Sequence, residues 1–305
     1  MGRAFRLLVC TLVVYPSAAF AQRFDDFGVR AQGMGGAFVA VADDSSATWW
    51  NPAGLANALT FVDVSASILK EGGRSVALGF PSLGVSYYRL RVSQIQPSAT
   101  TTGTPFSGRQ DNGAVGSGLS SVEFGMSQFG VSVGQSLGRH FVVATTAKLV
   151  NALDDTEADL DVGAMAAFGV VRIGAAVHDV RQPTFGSGAG AFELMRRARA
   201  GAAVITKPRG RIGRLTIAAD VDLTQAPIDG LPNREVAAGA EAWWLSGRIG
   251  VRGGGGRNIA AGGGPFGAFG VTVVPYPRLN LDGAVTRSSD PTIGDRWSLG
   301  VRLTY

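Results

Sequence analysis

The sequence predicts an all-β protein: a transmembrane antiparallel outer-membrane β-barrel of about fourteen strands. Three observations carry that expectation. Glycine supplies 44 of 305 residues, about twice its ordinary share of roughly 7%, and each helix-interior glycine costs about 1 kcal/mol relative to alanine. After residue 21 no stretch is apolar and unbroken enough for a membrane helix; the longest uncharged run, residues 258–277, is interrupted by glycines and by Pro265, Pro275 and Pro277. What recurs instead is alternation of apolar and polar residues in pieces of about ten, the length of a tilted bilayer-crossing strand.

The chain opens with an address. Arg3 and Arg6 precede a short apolar core, residues 7–15, and Ala19-Phe20-Ala21 supplies a small-x-small cleavage site. These parts in this order predict a secretory signal peptide over residues 1–21, cleaved from the mature chain. About nine apolar residues are too few for an anchor that needs roughly 20. Bulky Val9 before Cys10 argues against a lipoprotein. The net charge of +5, less the two leader arginines, leaves +3. No basic stripe interleaved with aromatics accompanies it, so no nucleic-acid partner is expected. With 46% apolar and 17% charged residues the chain is not a disordered one, and a single cysteine excludes a disulfide scaffold.

The mature elements follow in order. Weak alternation marks residues 61–69 and 74–80, and the pattern changes phase midway in residues 83–92 and 121–126. It resumes over residues 128–136, 141–150, 159–168, 171–180, 197–206, 214–223, 235–244, 247–252, 266–274, 279–286 and 295–305. The clearest cases set Leu215, Ile217, Ala219, Val221 and Leu223 against Asp220 and Asp222, and Trp297, Leu299, Val301, Leu303 and Tyr305 against Arg296, Ser298 and Arg302. That makes about fifteen segments; bacterial barrels use even numbers, which predicts fourteen.

A periplasmic β-sandwich with an interaction role would bury the apolar face, whereas a membrane barrel turns it toward lipid. The leader, the small, polar and charged opposite faces, and a final aromatic strand ending at Tyr305 favour the barrel. That ending resembles the signal by which barrel-assembly machinery takes up its clients. In hydrocarbon every backbone N–H and C=O must be paired within the protein, which a closed sheet achieves. Long connections at residues 93–118 and 181–196 are expected on the outer side, opposite tight turns such as residues 137–140 and 246–247. Tyr87, Tyr88, Trp243, Trp244, Tyr276 and Trp297 are expected at the lipid interfaces. Glycine runs at residues 253–256 and 262–264 predict a loop tip or a close approach of strands.

Residues 28–56 fit no membrane strand. They carry Gly33-x-Gly35-Gly36-Ala37, then Ala42-Asp43-Asp44, then Asn51-Pro52-Ala53-Gly54-Leu55. The order and spacing of these blocks resemble the mature N-terminus of FadL-type outer-membrane barrels, most closely their PorV/PorQ branch. Looser likeness extends over residues 159–168, 237–243, 248–252 and 297–302, although the chain is shorter than the fatty-acid transporters of that type. The resemblance implies a fourteen-stranded barrel (residues 59–305) in the Gram-negative outer membrane, with residues 22–58 folded inward as a hatch. It also implies passage or docking of hydrophobic, fatty-acid-like molecules, with a PorV-like anchor for secreted cargo of a type IX-like system as the alternative.

Gly33, Gly35, Gly36, Asp43, Asp44, Asn51 and Pro52 are the hatch and gate candidates: glycines permit close backbone approach, Pro52 fixes a turn, and the polar three can bond backbone groups. Lumen candidates, each on a polar strand face, are Asp159, Asp161, Arg172, His178, Arg214, Asp220, Asp222, Glu235, Glu241, Arg248, Arg252 and Arg302. Two adjacent carboxylates at Asp43-Asp44 fall short of a calcium loop, and the glycine run lacks dinucleotide-binding spacing. No metal or cofactor is expected. His140, in a turn, and His178, on a luminal face, offer no identifiable nucleophile, so no enzyme is expected either. The expected partners are outer-membrane lipid, the assembly machinery, and a hydrophobic small molecule or secreted cargo.

Overall fold

The computed structural model describes residues 18–20, 27–57, 62–70, 73–97, 119–187, 191–208, 212–228, 231–290 and 293–305. Most of the expected leader and residues 98–118 of the first long connection lie outside them. Among the described residues fourteen strands form the wall: β1 Asp63–Leu69, β2 Arg74–Phe80, β3 Leu83–Pro97, β4 Leu119–Leu137, β5 Phe141–Ala152, β6 Asp155–Phe168, β7 Val171–His178, β8 Arg197–Ile205, β9 Ile212–Asp222, β10 Glu235–Trp244, β11 Ile249–Asn258, β12 Pro265–Tyr276, β13 Leu279–Ser288 and β14 Arg296–Thr304. Each pairs antiparallel with its sequence neighbours, and β14 pairs with β1, Val301 opposite Ala66, closing the ring. The expected fifteen segments become fourteen because residues 121–126 and 128–136 are one strand. The glycines 253–256 lie inside β11 and make no loop tip.

The alternation reads out as predicted. Phe129, Val133, Leu149, Ile173, Ile217, Phe269, Val285 and Leu299 are exposed on the outer face, while Gln128, Ser132, Thr216, Glu241 and Arg252 are buried on the inner one. A sandwich buries its apolar face, so this polarity and the closed ring overturn the sandwich alternative; an apolar exterior is what lipid requires. Tyr87, Trp244, Tyr276 and Trp297 face outward. Tyr88 and Trp243 do not: Tyr88 is buried inside, and the half-buried Trp243 donates its indole N–H to Glu241 at 2.6 Å. Both sit at inward positions of their strands, so the expectation of interfacial girdle residues fails for them.

The two rims differ. One carries short turns at residues 81–82, 138–140, 169–170, 245–248 and 277–278 and receives the C-terminus. The other, here termed the mouth, carries the longer connections, including residues 179–196, where Thr184–Phe185 pairs with Phe192–Leu194. Ala18–Phe20, within the expected leader, lies parallel to that second segment.

At 15 and 19 residues, β3 and β4 exceed the 9–11 that span a bilayer. Toward the mouth their pattern inverts. Arg89, Gly125 and Asn151 point out, whereas Tyr88, Met126, Val150 and Ala152 are buried inside. Where the wall rises past the lipid, water becomes the outer solvent and apolar side chains turn inward, as in a soluble sheet.

The ring is filled. Residues 27–56 are almost wholly buried and form the main hydrophobic core, around Phe27, Met34, Phe38, Trp49, Trp50 and Leu55. The segment folds as α1 Val29–Gly33, α2 Ala47–Trp50 and a 3-10 turn Pro52–Asn57. One turn of helix has little stability of its own, so the wall holds this plug in shape. Gly35 (φ +65°) passes so close to β11 that a methyl group there would overlap the Gly255 backbone nitrogen. A plug glycine and a strand glycine thus meet backbone to backbone.

Candidate functional site

The site is the interface between plug and wall. Arg30, on α1, sits at its centre and is buried. Its Nε lies 2.7 Å from Glu241 of β10, and its Nη1 lies 2.6 Å from Asp43 and 3.1 Å from Asp44. Asp43 also meets Arg214 of β9 at 3.4 Å and Arg172 of β7 at 3.7 Å. Asp44 meets Arg302 of β14 at 3.1 Å and accepts the Ser46 N–H at 3.0 Å, which fixes the turn into α2. Burial alone would raise the Asp43 carboxyl, but the guanidiniums of Arg30, Arg214 and Arg172 outweigh it and hold the group at about 2. The plug is therefore fastened to the wall by paired charges of both signs.

Backbone groups complete the attachment. Phe38 and Val39 donate their N–H groups to Asp220 of β9 at 2.7 and 2.8 Å. Asn51 donates to the Val39 carbonyl at 2.9 Å and to the Ala164 carbonyl of β6 at 3.0 Å, while its own oxygen caps Ala53 at 3.1 Å. One amide side chain joins two parts of the plug to the wall, and Pro52 then starts the 3-10 turn. Ser45 donates its N–H to Asp63 of β1 at 3.1 Å, and Arg199 of β8 reaches the Gly36 carbonyl at 3.3 Å. Gly33 lies against the Arg252 side chain of β11. The structure brings all seven expected hatch residues into this interface.

Toward the mouth, a second set of charges belongs to the wall itself. Lys148 of β5 places its ammonium 2.9, 2.6 and 2.7 Å from Asp159, Asp161 and Asp179. Those three carboxylates are close enough together to hold a metal ion, but the ammonium occupies the shared position. His178 Nδ1 lies 3.1 Å from Asp161, and its ring packs on Trp49. Asp222 takes Arg199 at 2.6 Å and the Glu235 N–H at 2.9 Å. Asp282 of β13 pairs with Arg252 at 2.9 Å. One expected lumen residue is displaced: Arg248 is exposed in the turn before β11, because β11 starts one residue later. His140 is exposed in its turn, stacked on Phe168.

Sequence reasoning missed Arg30, Lys148, Asp179, Arg197, Arg199, Asp63 and Asp282. Arg30 had a signal: it is the one cation in residues 28–56, which also hold Asp43 and Asp44. Lys148 had one too, an ammonium on the same alternation face as the small residues of β5.

One stretch of the lumen lining is apolar. Met126, Val150 and Ala152 pack against Phe185, Phe192 and Leu194 of the loop between β7 and β8. Leu90 packs both on this cluster and on the main core. Below it Tyr88 meets Phe27 (ring centroids 4.0 Å) and Trp49 (4.8 Å) on the plug. Beside the plug, against β14 and β1 to β3, is a cavity of about 50 Å³, well short of the roughly 150 Å³ that accommodates benzene.

No family model and no curated protein matches the sequence. Solved structures do match. The toluene transporter TodX of Pseudomonas putida superposes with a TM-score of 0.60 at 10% identity, over 94% of this chain and 98% of that one. The toluene transporter TbuX of Ralstonia pickettii gives 0.57 at 11%, over 92% and 98%. A FadL homologue of Pseudomonas aeruginosa gives 0.54 at 10%, over 95% and 99%. At such identities the likeness is one of fold.

Proposed function

We propose that this protein is an outer-membrane channel for small hydrophobic molecules, with no covalent chemistry, and that residues 27–57 are its gate. The observation that carries this reading is the apolar track from Met126, Val150 and Ala152 through Leu90 to Tyr88, Phe27 and Trp49. Elsewhere the buried inward positions of the wall hold a smaller apolar group, Val142, Ala144 and Met165 beside Ala53 of the plug, and are otherwise largely polar or small. Such side chains pack as a core does, and they also line a continuous path on which a hydrophobic solute leaving water is stabilised by about 25 cal/mol per Å² of apolar surface covered. The transporters that share the fold point the same way. The track ends against the plug, so passage requires the plug to shift. Its charged and hydrogen-bonded attachments are of the kind that water can replace.

Uptake of labelled oleate and toluene into proteoliposomes tests the reading. Leu90→Asp is expected to lower uptake at least about tenfold, the effect of roughly 1.4 kcal/mol, while the variant keeps the heat-modifiable gel migration of a folded barrel. Undiminished uptake would remove the track as the route. A secreted protein co-purifying in stoichiometric amount would favour the PorV-like anchoring role.

A further inference from the structure

On the outer face of the wall, β10 and β11 carry little side-chain bulk. Ala238 and Ala240 of β10 point outward opposite Gly255 and Gly253 of β11. Larger side chains flank this pair of strands: Ile217 of β9 stands opposite Ala240, and Phe269 of β12 stands opposite Gly253, both exposed. The result is a furrow in the lipid-facing surface, with a depression of about 210 Å³ between Leu215 and Phe269, over Ala240, Ala242 and Gly253. Toward the mouth the furrow ends between two exposed arginines, Arg257 of β11 and Arg234 just before β10. Arg234 donates its Nε–H to the Asp222 carbonyl at 3.0 Å, which leans it to the β9 side. Arg287, two strands further round on β13, is paired with Asp295. Arg257 meets no carboxylate among the described residues.

We infer that this furrow is a binding site for one phosphorylated lipid of the mouth-side leaflet, in an outer membrane the lipid A of that leaflet, with an acyl chain laid along β10 and β11 and a phosphate held between Arg257 and Arg234. Arg257 is four residues from Gly253 on the same strand, about 13 Å at roughly 3.3 Å per residue. A chain hung from a phosphate at the rim therefore reaches the depression. Lipid covers the whole wall, but a chain lying in the furrow touches protein on three sides, and those added contacts hold it in preference to its neighbours. The arginines stand where the apolar exterior ends, the level of the headgroups, and a guanidinium on a phosphate makes charge-assisted hydrogen bonds. Charge also decides against a second copy of the barrel as occupant. A two-fold contact along the furrow would bring the same arginines of both copies to one level, cation against cation. The inference rests on insertion in the membrane and not on transport.

Native mass spectrometry of the full mature barrel in detergent, titrated with bisphosphoryl lipid A and with its dephosphorylated form, counts the lipid bound. One lipid A per barrel is expected at the tightest site, with the dephosphorylated form about tenfold weaker there. Arg257→Gln is expected to weaken lipid A by about tenfold and to leave the dephosphorylated form unchanged, since it removes a hydrogen-bonded charge and no apolar contact. Gly253→Leu fills the furrow. A Cβ at that position meets only the Ala268 carbonyl oxygen, at 3.9 Å, so the strand accepts the side chain, and both lipids are expected to weaken by about tenfold. Ala240→Leu, on the neighbouring strand, serves if Gly253→Leu loses the heat-modifiable gel migration of a folded barrel. Lipid A binding unchanged in the folded variants, or dephosphorylated lipid A held as tightly as lipid A, would overturn the inference. So would a barrel dimer that Gly253→Leu dissociates while lipid A binding persists, which would give the furrow to a second copy of this chain.

Discussion

In the short-turn half of the lumen, Arg30, Asp43 and Asp44 belong to the plug, and Glu241, Arg172, Arg214 and Arg302 belong to the wall. Toward the mouth, Lys148, Asp159 and Asp161 belong to adjacent wall strands, and Asp179 begins the loop that leaves β7. Both clusters are buried and set cations against carboxylates, yet they join different things. The first can be undone by moving one segment out of the ring with every strand pairing intact. The second comes apart only if the wall does. Similar chemistry therefore serves as a fastening in one place and as a brace in the other.

Paired substitutions give the largest expected effects and separate the two roles. Arg30→Met leaves three carboxylates without their common partner, and breaking a buried pair in this way costs about 3–5 kcal/mol. That loss falls on the plug: single barrels in planar bilayers are expected to pass current, while the temperature of the heat-modifiable gel transition stays within a few degrees of the unaltered value. Lys148→Met strips Asp159, Asp161 and Asp179 by a similar amount, and the expected readouts exchange, with the gel transition falling by about 10 °C and the plug staying shut. Should both variants lower the transition equally, the two clusters would be one structural unit and the distinction would fail.

Gly35→Ala is a milder version of the first variant. It sets a methyl group against the Gly255 backbone at a positive φ, which costs about 2–3 kcal/mol of plug seating. Intermittent rather than continuous conductance is expected, with the barrel unaltered.

Acid gives the smallest and most reversible effect. Asp43 is held at about 2, below its ordinary 3.8, so its contribution to plug attachment is present above about pH 4. It is lost as the pH falls from there toward 2. Conductance openings are expected to rise over that interval and to lose this dependence in Asp43→Asn.

The wall was legible in the sequence because lipid outside and polar contents inside impose a two-residue period that survives without knowledge of the neighbours. The contents were legible only in part. Alternation tells which face a residue is on but not how far along the ring axis it stands, so Asp159 and Asp161 were found and Lys148, their partner on the next strand, was not. The same ambiguity left Arg30 unnoticed between glycines. Two irregularities are instructive. Residues 83–92 and 121–126 change phase because Tyr88, Leu90 and Met126 turn inward where the wall leaves the bilayer, and that irregularity marks the apolar track. Glycines 253–256 left a loop tip and a close approach both open by composition; the second holds, because the strand runs where the backbone of Met34 and Gly35 comes too near for a side chain.

The closing pair of strands sets an order of events. Asp44 of the plug and Asp63 at the start of β1 both face Arg302 of β14, at 3.1 and 3.9 Å. The residues synthesised early thus find this partner only when the last strand has been made and zipped beside the first. The stopper's tie to the seam is therefore made when the vessel is sealed, at a single arginine.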